Sequence, residues 1–274
     1  MPMSGITSQP LETLLPAVLE LARAAGRAIS AIYAGPDLGI ETKADQSPLT
    51  AADRAAHEVI VAGLARLCPG VPVWSEESAA IPWDVRQPWQ EFWLVDPLDG
   101  TKEFIKRNGE FTVNIALVRG HAPVLGVVHA PALGRDYYGY AGGGACRSDA
   151  GAPGRPIRVR SPAVAPVRVA GSRSHRGSSL DDILVRLGDH TLVSMGSSLK
   201  FCLVAEGEAD FYPRLGPTSE WDTAAAQAVL EAAGGAVLDL EGQPLRYNTR
   251  NEVLNPWFVA SGDPGRNWLA LLHD

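Results

Sequence analysis

The chain has 274 residues, 46% of them hydrophobic and 20% charged, with seven tryptophans; this excludes a disordered segment and fits one large α/β unit or two closely packed halves. The formal net charge of −7 opposes nonspecific attraction to nucleic acid or anionic lipid, so an anionic substrate needs local help from metal ions, backbone amides or a few placed cations. Cys68, Cys146 and Cys202 form no Cys-x-x-Cys pair and read as reduced thiols. Residues 1–10 lack a basic stretch followed by an apolar one, and no apolar run approaches a membrane span; the expectation is a cytoplasmic protein, with peripheral contact with the inner membrane left open.

In chain order, apolar residues recur at three- and four-residue spacing from Leu11 to Tyr33, predicting an amphipathic helix that ends before Gly35-Pro36. A polar loop, Lys43 to Pro48, precedes a second helix over Ala51–Leu67, with Thr50 as N-cap and Asp53 three residues on, close to a capping box. Val71 to Trp74 is a strand candidate running into Ser75-Glu76-Glu77-Ser78, where adjacent acids usually mark a solvated turn.

The most informative stretch is Trp93-Leu94-Val95-Asp96-Pro97-Leu98-Asp99-Gly100-Thr101-Lys102. Phe92 to Val95 reads as a buried strand that runs out at Asp96, because Pro97 has no N–H to donate to a central ladder. Gly100 relaxes the backbone, and Thr101 can cap a short helix over Thr101–Arg107. Two carboxylates beside free amides suit a hard divalent cation and a phosphate together, since Mg²⁺ takes carboxylate, water and phosphate oxygens. The plain alternative is a strand followed by an Asp-rich turn.

Thr112–Arg119, Pro123–His129 and Asp136–Ala141 read as an antiparallel meander. Gly142-Gly143-Gly144 and Gly151 to Pro156 are linker-like and divide the chain into halves at residues 1–150 and 151–274. The second half alternates strand and helix signals at Val167–Ala170, Ser179–Leu187, Thr191–Met195, Ser198–Glu206 and Asp210–Leu215, an α/β rhythm. His175, in Gly171-Ser172-Arg173-Ser174-His175, follows a strand and is either a ligand contact or a polar loop residue. Gly196-Ser197-Ser198-Leu199-Lys200 opens a helix, where the serines either cap it or meet a phosphate beside Lys200. Arg214 is an isolated cation in the apolar Phe211–Leu215 run, a position that usually wants an anion. Glu220-Trp221-Asp222 begins an Ala-rich helix ending at Gly234-Gly235, and Asp222 at its start satisfies the helix dipole or does chemistry. Arg246–Ala260 predicts further strands, and Pro264–Leu272 a terminal helix.

Asp96-Pro-Leu-Asp-Gly-Thr101 resembles the metal-binding signature of the Mg²⁺-dependent, lithium-sensitive phosphatases that include inositol monophosphatases and fructose bisphosphatases. Lys102-Glu103-Phe104 and Asn108-Gly109-Glu110-Phe111-Thr112-Val113-Asn114-Ile115-Ala116-Leu117 are similar to the bacterial 3'(2'),5'-bisphosphate nucleotidases of the CysQ type. The resemblance extends from about Lys43 to Gly235 and implies a layered αβαβα sugar-phosphatase-like fold, with a large mainly antiparallel sheet in the first half and a smaller α/β second half. It further implies hydrolysis of the 3'-phosphate of adenosine 3',5'-bisphosphate (PAP) to AMP, in PAP recycling during sulfur assimilation. By the same resemblance Glu76, Asp96, the Leu98 carbonyl, Asp99 and Asp222 would hold two or three Mg²⁺ ions. Asp53, paired with Thr101, would orient and deprotonate the attacking water. Gly100, Thr101, Lys102, His175, Ser198, Lys200 and Arg214 would contact the substrate. Inositol monophosphatase is the rival within the same chemistry, and a noncatalytic nucleotide sensor the rival outside it. The partner expected is a small bisphosphate nucleotide, with no nucleic acid and with monomer and homodimer both open.

Overall fold

Two amphipathic helices open the chain. In the computed structural model, which describes residues 9–42, 48–78, 80–171 and 178–272, α1 spans Leu11–Tyr33 and buries Leu14, Val18, Ala22, Ala25 and Ile29 along one stripe. The two-residue strands β1 (Glu41–Thr42) and β2 (Pro48–Leu49) pair before α2 (Ala51–Leu67). The Thr50–Asp53 capping box is present, and helix α2 has the bounds its periodicity predicts.

Seven strands follow, with two short helices among them: β3 (Val73–Ser75), α3 (Trp83–Arg86), β4 (Glu91–Asp99), α4 (Thr101–Ile105), β5 (Thr112–Arg119), β6 (Ala122–Ala130), β7 (Arg135–Tyr140), β8 (Gly144–Asp149) and β9 (Arg155–Ile157). They form one sheet in sequence order, antiparallel except for the β3–β4 pair. A second sheet has the order β11-β10-β12-β14-β13, built from β10 (Val167–Gly171), β11 (His190–Ser194), β12 (Phe211–Arg214), β13 (Ala236–Asp239) and β14 (Phe258–Ser261). Its helices are α5 (Ser178–Leu187), α6 (Leu199–Ala205) and α7 (Ala224–Ala232).

Period-two alternation distributes these elements into five layers. Trp93, Val95, Val113, Ile115, Leu125 and Val127 face α1 and α2. Phe92, Leu94, Ala116, Val118 and Val128 face the opposite way, onto α6, α7 and the inner side of the second sheet. Val167, Val169, Phe211 and Val259 then close against α5 and Trp268 on the far side. The order is αβαβα, the layering expected.

Four expectations are corrected. Strand β4 does not end at Asp96 but continues through Pro97 to Asp99, with a register shift between Asp96 and Asp99. A bulge accommodates the proline, and β3 pairs only as far as Ser75↔Val95, so the missing N–H breaks no ladder. Of the linker-like stretches, Gly144 opens a strand, Gly144–Asp149, and Arg155 and Pro156 belong to another, Arg155–Ile157, so the first sheet runs past residue 150. The Pro264–Leu272 segment holds only a 3₁₀ turn at Leu269–Leu271. Arg246–Ala260 contributes β14 and an isolated bridge from Leu254 to Ser219, while β13 lies where no strand was expected. Among the described residues no helix is long and apolar enough to cross a membrane, and the three cysteines are free thiols.

Candidate active site

The β4 bulge turns two acids from one strand toward the same space. Asp96 is buried, and its Oδ1 accepts the Leu98 N–H at 3.0 Å, which locks the bulge from within. Gly100 then adopts φ +91°, and a Cβ there would meet the Glu110 carbonyl oxygen at 3.1 Å, so the turn into α4 requires glycine. Gly100, not Thr101, occupies the N-cap of α4, and the Thr101 hydroxyl instead donates to the Leu98 carbonyl at 3.4 Å. The third acid comes from the other end of the chain. A capping box from Ser219 to Asp222 fixes the latter's Oδ2 on the Ser219 N–H at 2.9 Å, two residues before α7 begins.

Asp96, Asp99 and Asp222 each offer a carboxylate oxygen within 4.8 Å of the others. Burial, and then Glu76, Asp99 and Asp222, hold the Asp96 carboxyl far above its ordinary value. Burial, Asp99 and Glu76 do the same to Asp222. Asp99 is pushed up to about 6 by burial and Glu76, against the pull of Lys200 and the Ser198 N–H. Like charges this close and this dry are stable only with added protons or added cations. The donors are all hard oxygens, which fits a hard divalent ion and argues against a soft one.

Asp53 lies in the same acidic field. Thr50 donates to its Oδ2 twice, from the backbone at 2.7 Å and from the hydroxyl at 2.6 Å. Burial outweighs these bonds, and with Glu77 and Glu76 nearby raises the carboxyl to about 6. Asp53 therefore does cap α2, and no hydrogen bond joins it to Thr101 in this structure.

The acids open onto a cavity of about 140 Å³ lined by Asp99, Gly100, Glu103, Gly196, Ser197, Ser198, Lys200, Phe201, Tyr212, Arg214, Thr218 and Asp222. Lys200 is buried there. Its ammonium donates to the Ser197 carbonyl at 2.6 Å and sits 5.4 Å from the Tyr212 ring centre, and burial lowers it to about 8 although Asp99 opposes the change. Arg214 donates to Thr218 Oγ1 at 2.6 Å and to the Pro217 carbonyl at 2.8 Å, with no ion pair among the described residues. Its charge favours the ionised form of Asp222. Ser198 sits at the N-cap of α6 without capping it, since its hydroxyl donates to Asn114 Oδ1 at 2.9 Å. Lys102 is exposed and lines none of this cavity, and His175 lies outside the described residues.

Sequence reasoning left out Glu103, Tyr212 and Thr218 of the lining, and it quoted Glu110, Thr112 and Asn114 without assigning them work. Tyr212 and Thr218 carry no local signal. Thr112 and Asn114 do, because a wholly buried strand has no need of polar side chains unless they are bonded.

The profile of the inositol monophosphatase family matches residues 10–266 of the chain. The chain is 54% identical over 249 residues to the 3'(2'),5'-bisphosphate nucleotidase CysQ of Escherichia coli K12, covering 90% of this chain and 99% of that one. It is 39% identical to the CysQ of Aggregatibacter actinomycetemcomitans over 95% of this chain and 97% of that one. The crystal structure of CysQ from Bacteroides thetaiotaomicron superposes with a TM-score of 0.80 at 43% identity, covering 90% and 96% of the two chains. The inositol monophosphatase of Anabaena superposes at 0.75 with 26% identity over 96% of each. With three acids, one buried and two half-buried, converging from β4 and the start of α7 on that fold, the protein belongs to the inositol monophosphatase family of metal-dependent phosphatases.

Proposed function

We propose that the protein is a Mg²⁺-dependent 3'(2'),5'-bisphosphate nucleotidase that hydrolyses the 3'-phosphate of PAP to give AMP and inorganic phosphate, recycling PAP in sulfur assimilation. One observation carries this reading beyond phosphatase chemistry in general: the acid cluster shares its cavity with Arg214 and Lys200, cations in excess of what one reacting phosphate needs. The 54% identity to a CysQ nucleotidase over almost all of both chains supports it.

In this reading Glu76, Asp96, the Leu98 carbonyl, Asp99 and Asp222 hold two or three Mg²⁺ ions. Bound there, Mg²⁺ supplies charge neutralisation at the phosphoryl oxygens and an activated water. Asp53 and Thr101 orient that water. Asp53 has Oδ2 committed to Thr50, so Oδ1 accepts the proton, and a carboxyl raised to about 6 is both ionised at neutral pH and more basic than an ordinary aspartate. Gly100, Thr101 and Ser198 border the reacting phosphate, while Lys200 and Arg214 meet the 5'-phosphate.

The test is a Mg²⁺ assay on PAP, inositol 1-phosphate and fructose 1,6-bisphosphate with wild type and Arg214→Ala. PAP should be the preferred substrate, and Arg214→Ala should lower kcat/KM for PAP at least about tenfold, the worth of one charge-assisted contact, with a much smaller loss on inositol 1-phosphate. A wild-type preference for inositol 1-phosphate would reject the nucleotidase reading and leave the phosphatase one. Equal losses on both substrates would place Arg214 at the scissile phosphate.

A further inference from the structure

Strand β5 is buried on both faces, yet two of its residues on one face are polar. Thr112 and Asn114 share the side of Ala116 and Val118, which pack into the central core, and both are fully buried. The register sets Asn114 directly opposite Asp96 and Thr112 directly opposite Asp99. Glu110, buried to 8% exposure just ahead of the strand, adds a third polar position at the same spacing of two.

All three bond to the loop that enters α6. Glu110 Oε2 accepts the Gly196 N–H at 2.9 Å, and a Cβ on Gly196 would come within 2.9 Å of the Glu110 Cβ. The Thr112 and Ser198 hydroxyls are 2.8 Å apart, and the Asn114 carbonyl oxygen accepts from the Ser198 hydroxyl at 2.9 Å. Between these anchors Ser197 takes φ +45°, a left-handed conformation that a non-glycine residue keeps only when its surroundings impose it. The consequence is at Asp99: the Ser198 N–H donates to its Oδ2 at 2.6 Å, and Asn114 Nδ2 approaches the same oxygen at 3.5 Å. Two donors thus hold Oδ2, on a carboxylate that brings an oxygen within 4.8 Å of those of Asp96 and Asp222.

We propose that Glu110, Thr112 and Asn114 are positioning residues, a polar rail that clamps the Gly196–Ser198 loop and through the Ser198 N–H aims the Asp99 carboxylate at the metal. The inference rests on the proposed role of Asp99 as a metal ligand. Polar side chains in this strand would destabilise the core if unbonded, and each is bonded to one loop whose backbone ends on an acid of the site. The clamp also joins the two sheets at the point where their residues must meet.

The test is Mg²⁺ titration by calorimetry, without substrate, on wild type, Asp99→Asn, Thr112→Val, Thr112→Ser, Glu110→Ala and Glu110→Gln, alongside the unfolding temperature in chelator. Thr112→Val and Glu110→Ala should bind Mg²⁺ about ten- to a hundredfold more weakly, while Thr112→Ser and Glu110→Gln, which keep the hydroxyl and the acceptor oxygen, stay within about threefold of wild type. In turnover assays the Mg²⁺ concentration for half-maximal rate should rise by the same factor, with kcat at saturating Mg²⁺ little changed. Thr112→Val binding Mg²⁺ as wild type does would overturn the proposal, and this near-isosteric variant decides the matter if Glu110→Ala fails to fold. Glu110→Gln as weak as Glu110→Ala would overturn it for Glu110 by showing that charge matters instead of the bond. Asp99→Asn binding as tightly as wild type would reject the ligand role itself, a failure distinguishable from that of the rail.

Discussion

At Asp53, helix capping and the proposed acid–base chemistry fall on different oxygens of one carboxylate. Thr50 takes Oδ2, and burial raises the group from 3.8 to about 6, so the folded protein disfavours its ionised form by roughly 3 kcal/mol. A raised value means that stability is fully present below pH 4 and is lost as the pH rises through about 6. Asp53→Asn keeps a carbonyl oxygen for Thr50 and removes the buried charge. Calorimetry in chelator should show the variant melting above wild type at pH 8, with the difference shrinking towards pH 4, while kcat falls on the order of 10²–10⁴-fold, the usual worth of a general base. A variant less stable than wild type at pH 8 would make Asp53 a cap first. The residue scale is also where local spacing proved most and least informative. Asp96 and Asp99 stood out because an apolar run ended on two acids three apart. Thr112 and Asn114 did not declare a role, because their partner Ser198 lies 86 and 84 positions away and no local pattern encodes such a pair.

Helix α7 lies on β6 at very close range. A Cβ on Gly126, in the middle of β6, would stand 2.1 Å from the Ala225 carbonyl oxygen, which is helix backbone and has no rotamer to yield with. Since α7 begins two residues after Asp222, Gly126→Ala should push the helix outwards and carry the acid with it. Overpacking of this kind costs about 1–3 kcal/mol or more, so the expected result is a clear fall in unfolding temperature together with weaker Mg²⁺ binding. Loss of stability with unchanged Mg²⁺ affinity would show that the Ser219 capping box alone holds Asp222 in place. Elements with strong periodicity or a cap, α1, α2 and β5, were legible to the residue. Strands β8 and β9 were not, because glycines, arginines and a proline tolerated near a sheet edge look like linker when neighbours are unknown. The Leu269–Leu271 turn shows the reverse error, an apolar pattern satisfied by packing under the second sheet without a full helix.

Across the whole molecule, the carboxylate cluster couples stability to both protons and metal. Its folded values are raised, so the metal-free protein is favoured by these groups at low pH and loses that contribution as the pH climbs through about 6, the value for Asp99. A cation needs the ionised forms and displaces those protons. The rise in unfolding temperature produced by Mg²⁺ should therefore be small at pH 5 and grow towards pH 8, reaching on the order of 5–10 °C at a hundredfold excess over Kd. A shift independent of pH would mean that Mg²⁺ binds away from these acids. The layered fold itself was readable from the resemblance and from the alternation of strand and helix signals. The continuation of the first sheet to Ile157 was not, since pairing between neighbouring strands is a property of space rather than of composition.

The distribution of the acids also sets a timetable. Asp96 and Asp99 leave the ribosome together, whereas Ser198 and Asp222 follow about a hundred residues later or more, roughly 5 to 25 s at synthesis rates of about 5–20 residues per second. Until then the first sheet carries two acids with neither the loop that aims one of them nor the third carboxylate that completes the cluster. A nascent chain therefore holds two of the three clustered acids and waits for its second sheet to bring the third.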